Sequence, residues 1–145
     1  MKHLLLIALV AISSTIPWET NFEVAKKNAA DQHKLILLNF SGSDWCGPCI
    51  RMQNEILADH GFLKMAVENL VMVNADFPRS KKKQPIATIK KQNETLADRY
   101  NPQGKFPFTV ILDANGKVMK TYEGLPDQTA AAFTTELKKI CDASK

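Results

Sequence analysis

The sequence predicts an α/β domain with a mixed central sheet and helices on both of its faces. Three observations predict it. Two strand-length runs, "KLILLNF" (Lys34 to Phe40) and "NLVMVNAD" (Asn69 to Asp76), are apolar almost throughout. Segments with a 3.6-residue apolar period alternate with them. A tight turn of Asx-Gly type, "DANGK", joins two further strands. A strand without polar alternation is buried on both sides, so helices must lie above and below the sheet. With 145 residues, 45% hydrophobic and 23% charged, the chain fits one such domain with a core of its own. It contains no internal repeat, linker or low-complexity tract.

Residues 1–15 are expected to be a secretory signal peptide and residues 16–145 the folded domain. Lys2 and His3 precede the apolar run "LLLIALVAI", which is followed by "SST" and Pro17, the order of n-region, h-region and cleavage region. Nine apolar residues are too few to span a bilayer, which takes about 20. The expected cleavage falls near Ser13 to Thr15, and the expected location is exported: periplasmic or secreted.

The elements follow in order. "TNFEVAKKNAADQHK" places Phe22, Ala25, Ala29 and Ala30 at helical spacing, with Thr20 or Asn21 as N-cap. The first strand, Lys34 to Phe40, ends in the loop "SGSD". From Cys46 a second helix begins, with Cys49, Met52, Ile56 and Phe62 on one side. The second strand, Asn69 to Asp76, leads into a polar loop from Phe77 to Ile86 with two prolines. "ATIKKQNETLADRYN" forms a helix through Ile89, Leu96 and Tyr100. "FPFTVILD" and "KVMKTYEG" form a hairpin, and a last helix runs from about Gln128 to Cys141.

Two of the three cysteines stand three residues apart, in "FSGSDWCGPCIRM". Three cysteines are too few for a disulfide-stapled fold, so the close pair serves chemistry or metal. It lies where a buried strand ends and a helix begins. There the unpaired N–H groups and the positive end of the helix dipole stabilise a thiolate, lowering its pKa from the free value of about 8.5. Cys46 is therefore expected to be the exposed, reactive thiol, with Cys49 one turn deeper and within reach for a disulfide. Pro48 suits the first helical turn, and Gly47 lets another chain approach the sulfur.

"WCGPC" together with the later "FPFTVILDANGKV" resembles the thioredoxin superfamily, over roughly Trp18 to Cys141. The resemblance implies a thioredoxin-like three-layer fold and a redox-active Cys46–Cys49 disulfide. It also implies a cis-proline at Pro107 that exposes the backbone of Phe106 to an extended substrate segment, with Trp45, Gly47, Pro48, Phe106 and Pro107 as substrate contacts. Within the superfamily, "FSGSDWC" is more similar to exported bacterial members, and to the soluble end domain of membrane thiol–disulfide interchange proteins, than to cytosolic thioredoxin. The implied activity is thiol–disulfide exchange with protein dithiols and disulfides, Cys46 attacking and Cys49 resolving, without a cofactor. Gly-Pro between the cysteines favours a reductase in the cell envelope, drawing electrons from a membrane donor or redox partner; protein disulfide isomerase is the second reading and oxidase the third. A monomer is expected.

The sequence also departs from the family pattern. Where cytosolic thioredoxins carry a buried acid and a nearby lysine, the best-matching positions hold Asn39 and Met72, and Asn39 is not a base. One residue is inserted before the motif, making Asp44 the nearest carboxylate. It either handles protons or caps the helix, capping being favoured. Ile50 replaces a lysine after Cys49, which makes the surface more apolar.

Other features point elsewhere or nowhere. No metal site is expected, because one C-x-x-C supplies two zinc ligands where four are needed, and neither His33 nor His60 is predicted to approach Cys46. A copper-handling thioredoxin-fold protein stays as an alternative. The net charge of +4 and the run Lys81, Lys82, Lys83 do not indicate a nucleic-acid partner, since no aromatic residues are interleaved, and the run reads as a solvated loop. Cys141 is expected to be a semi-buried free thiol and Trp18 an edge-packing residue. "NET" (Asn93 to Thr95) fits a glycosylation acceptor only as a short pattern.

Overall fold

The computed structural model describes residues 16–145; the expected signal segment lies outside them. Four strands form one sheet in the order β2-β1-β3-β4. They are β1 (Leu35–Ser41), β2 (Leu70–Asp76), β3 (Phe108–Leu112) and β4 (Val118–Glu123). Strand β1 pairs parallel with β2, from Leu35 opposite Leu70 to Ser41 opposite Asp76. It pairs antiparallel with β3, and β3 with β4. The mixed sheet is as expected.

Helices cover both faces. Helices α1 (Phe22–Gln32) and α4 (Ala87–Tyr100) lie on one side, α2 (Gly47–Met52), α3 (His60–Asn69) and α5 (Ala130–Ala143) on the other. The pleat sorts the strand residues between them. Ile36, Leu38 and Phe40 pack with Phe22, Leu96 and Tyr100, whereas Leu35 and Leu37 pack with Met52, Phe62 and Phe133. Burial on both faces is why "KLILLNF" shows no alternation: every residue of β1 is buried.

The sequence pattern predicts one helix from Cys46 to about Phe62, and here the structure differs. Helix α2 ends at Met52, a π-turn spans Gln53–Leu57, and α3 starts afresh behind Asp59. The Asp59 carboxylate accepts the Phe62 N–H at 3.1 Å, an N-cap that interrupts the helical path. His60 is thus the first residue of a new helix instead of the end of the motif helix. The apolar period continues across the break because Ile56, Leu57 and Phe62 serve the same core.

Residues before α1 contribute a further element. The Glu19 N–H donates to the Met72 carbonyl at 2.7 Å in a parallel bridge with Val73, which covers part of the free edge of β2. Trp18 packs against the α2/α3/α5 core. Asn93, the glycosylation-like asparagine, is buried on α4 with its amide donating to the Asp76 carbonyl, so in the folded chain its nitrogen is not open to modification.

Candidate active site

The site is built where β1 runs out. After Ser41 the chain turns sharply at Gly42, whose carbonyl accepts the N–H groups of Trp45 and Cys46. Only glycine fits there: a Cβ would fall 2.3 Å from the Trp45 indole. Gly42→Ala is expected to force the indole aside, destabilising the fold by about 1–3 kcal/mol. A lowered urea midpoint with a shifted tryptophan emission would show it, and an unchanged midpoint would refute the close packing.

Cys46 is the N-cap residue of α2, and the helix itself begins at Gly47 and Pro48. The Cys46 Sγ accepts the Cys49 N–H at 3.3 Å, so a helix-terminal donor points at this sulfur. Cys46 and Cys49 form a disulfide, with Cα atoms 5.2 Å apart. An exposed Cys46 was the expectation, but it is only 5% exposed, against 2% for Cys49. Gly47, Pro48 and Ile50 are the exposed residues of this turn.

Tertiary contacts bring the second half of the site to the first. Trp45 meets Phe106 edge-on, ring centroids 5.4 Å apart, and Phe106 meets Phe77 at 5.6 Å. The Phe106–Pro107 peptide is cis. The Pro107 carbonyl accepts the Gly124 N–H at 2.8 Å, whereas the backbone N–H and carbonyl of Phe106 have no hydrogen-bond partner among the described residues.

The segment following β2 completes the rim. Trp45 donates from its indole N–H to the Phe77 carbonyl at 2.7 Å, and the Arg79 guanidinium lies 4.3 Å from the centre of the indole. Ser43 donates from its backbone N–H and its hydroxyl to the Asp76 carboxylate. Asp44 neither caps α2 nor reaches the disulfide with a recorded bond. Its carboxylate accepts the N–H groups of Arg79 and Ser80 at 2.9 and 2.8 Å. These two donors hold its pKa below the ordinary 3.8. A depressed carboxyl contributes its stabilisation above the unfolded value and loses it as pH falls through the folded one, so this anchor is intact at neutral pH.

Beneath α2 the sheet presents a polar row. Asn39 stands in register with Asn74 on β2 and Thr109 on β3. The Thr109 hydroxyl donates to Asn39 Oδ1 at 3.3 Å and lies 3.8 Å from Met52 Sδ, one turn along α2 from Cys49. Asn74 Oδ1 is buried and has no hydrogen-bond partner among the described residues. Met72 is buried two positions away, opposite Leu37. None of these three positions carries an acid or a base; the next residue in register, Tyr122 on β4, donates its hydroxyl to Glu136 at 2.9 Å.

Gly42, Ser43, Asn74, Asp76, Phe77 and Arg79 were missed by sequence reasoning. Parallel pairing of β1 and β2 was the available signal: it sets their C-terminal ends side by side, and with them the loops that follow. Cys141 is free and buried on α5, and burial raises its pKa. No group of three or more His, Cys, Asp or Glu side chains suited to a metal ion occurs among the described residues.

Residues 17–114 match the family described as thioredoxin-like. The chain belongs to the thioredoxin-like family. This thioredoxin-like protein is 37% identical over 126 residues to the disulfide bond reductase DsbH of Chlamydia pneumoniae, covering 87% of this chain and 73% of that one. A solved DsbH oxidoreductase superposes with a TM-score of 0.80 at 31% identity, covering 98% of this chain and 95% of the other. A thioredoxin from Thermus thermophilus, at 19% identity and TM-score 0.62, shares the fold over 83% of this chain and 84% of its own. With a C-x-x-C disulfide at the head of α2, the protein is a thiol–disulfide oxidoreductase of the thioredoxin superfamily.

Proposed function

We propose that the protein is an exported disulfide reductase acting on protein substrates in the cell envelope. The observation that carries this reading is the Cys46–Cys49 disulfide capping α2, with the Cys49 N–H directed at Cys46 Sγ. In the reduced protein that donor stabilises a Cys46 thiolate, which attacks one sulfur of a substrate disulfide. A bond forms between Cys46 and the substrate, and the other substrate sulfur leaves as a thiolate and takes up a proton. Cys49 then gives up its proton and attacks Cys46 Sγ, closing the internal disulfide and releasing the second substrate thiol. Two electrons have passed from protein to substrate.

Trp45, Gly47, Pro48 and Pro107 frame the approach, and the unpaired backbone groups of Phe106 bond an extended substrate segment. A chain bound through backbone atoms exposes little side-chain identity to the enzyme, consistent with a range of protein substrates. The direction of reaction is supported by the Gly-Pro dipeptide and by the DsbH relative, which is named a reductase. Reductive turnover needs a membrane-bound dithiol donor to restore the protein. The signal-like residues 1–15 support export. Among the described residues no helix is long and apolar enough to cross a membrane.

The reduction potential tests the direction. Equilibrated against glutathione with Cys141→Ser to remove the third thiol, the pair is expected near the thioredoxin value of about −270 mV. A value at or above about −180 mV, where protein disulfide isomerase lies, would reassign it to isomerisation or oxidation.

A further inference from the structure

The turn after β2 carries a concentration of charge that disulfide exchange by itself does not use. Arg79, Lys81, Lys82 and Lys83 are all exposed, and none forms a side-chain ion pair among the described residues. Of the 19 Lys and Arg in the chain these are four, and the remaining 15 equal the 15 Asp and Glu. The formal charge of +4 therefore corresponds to this one turn. Outside the turn, basic and acidic residues are equal in number with Lys2 of the expected signal segment included, and acids exceed bases by one without it.

The turn is also fastened to the active-site loop. Asp44 accepts two of its backbone N–H groups, Ser43 bonds Asp76 at its base, Trp45 donates to Phe77, and Arg79 lies on the Trp45 ring. The two carboxylates that fasten the turn, Asp44 and Asp76, have their oxygens directed at backbone and hydroxyl donors, and Glu94 shares a groove with Lys90 along the turn. Arg79 lies exposed on the ring of Trp45, the residue directly before Cys46, and Lys81, Lys82 and Lys83 are exposed in the same turn, Lys83 close enough to Asp44 to favour its charge. A solvated loop does not require such anchoring.

We propose that this basic turn is a docking surface for acidic polypeptide segments that flank the disulfide to be reduced. The proposal rests on the reading that Cys46 exchanges with protein disulfides, and it names the class of substrate. Charge held beside a reacting group raises encounter rates by about 10- to 1,000-fold for a partner of opposite sign. The effect fades as salt shortens the Debye length from about 10 Å at 0.1 M to about 3 Å at 1 M.

The test uses three peptides with one and the same internal disulfide and neutral, acidic or basic flanks. Each is reduced by the reduced full chain and by dithiothreitol, whose rates correct for the intrinsic reactivity of each peptide. The expected result is a corrected preference of about tenfold or more for acidic over basic flanks at low salt. It should disappear near 1 M salt and in the Lys81→Ser, Lys82→Ser, Lys83→Ser triple variant.

Equal corrected rates for acidic and basic flanks, or a preference that survives both treatments, would overturn the docking surface while leaving exchange intact. Failure to reduce the neutral peptide would instead overturn the functional reading itself, and the docking proposal with it. Lysine-dependent sedimentation with anionic phospholipid vesicles, without any flank preference, would assign the turn to a membrane and overturn the proposal. Salt dependence is read on the unsubstituted protein, so the test stands even if the triple variant does not fold.

Discussion

Cys46→Ser is expected to reduce disulfide exchange to the background rate of the buffer, whereas Cys49→Ser should stop it half-way with substrate still attached. The two cysteines lie three residues apart in one disulfide, yet their surroundings differ. Cys46 Sγ occupies the N-cap position and accepts the Cys49 N–H, so its thiolate has a donor waiting for it. Cys49 sits inside the first turn, 2% exposed, on the α2 face directed at the core. Serine at 46 leaves a hydroxyl that is no nucleophile near neutral pH. Serine at 49 leaves the attacking thiol but removes the one that releases the product. Non-reducing gels and intact mass of the Cys49→Ser protein should reveal adducts one substrate heavier, which dithiothreitol removes. Undiminished exchange by Cys46→Ser would sink the assignment of the nucleophile.

Asn39→Asp should make stability depend on pH in a way the parent protein does not show. The side chain is 4% exposed, between Thr109 and Asn74, and the Thr109 hydroxyl is its recorded donor. One hydrogen bond does not replace the hydration of a carboxylate, so burial should raise the new carboxyl's pKa by about 2–3 units, or about 3–4 kcal/mol. The sign follows from linkage. With the folded pKa above the unfolded value of about 3.9, the charge penalty is absent below that value. It grows as pH rises from there to the folded pKa and is constant above it. Urea midpoints for parent and variant should therefore be close in acid and separate by neutral pH. A gap that is the same at both ends of the range would show that the carboxyl is not desolvated. The variant would also place a titratable group beneath α2, where Thr109 links Asn39 to Met52 one turn from Cys49, so release of the mixed disulfide should gain a pH dependence over the same interval.

Much of the fold was legible because local rules and tertiary packing agree. The uninterrupted apolar run of β1 gave a strand buried on both faces, and Asn115-Gly116 gave the hairpin, with Gly116 at φ +83° where a left-handed residue is needed. Thr129 and Asn21 cap their helices with side-chain oxygens as such residues do. The break at Asp59 was not legible. An Asp inside a continuing apolar period fits both an exposed helix position and an N-cap, and only the packing of α3 on α5 favours the cap.

The same division runs through the site. The sequence by itself determined that two cysteines stand at a strand-to-helix junction, with Pro48 in the first turn and an X-Pro bond at Phe106–Pro107. Those facts depend on residue type and near-neighbour spacing. Only the tertiary structure decided that Asp44 anchors the turn after β2, because its partners Arg79 and Ser80 are 35 and 36 residues away. Only the tertiary structure placed Phe106 against Trp45 and Asn74 beside Asn39. It also decided how far Cys46 is covered. Hydrogen bonds, ring contacts and burial between distant segments depend on strand order and register, which are set by how the whole core packs.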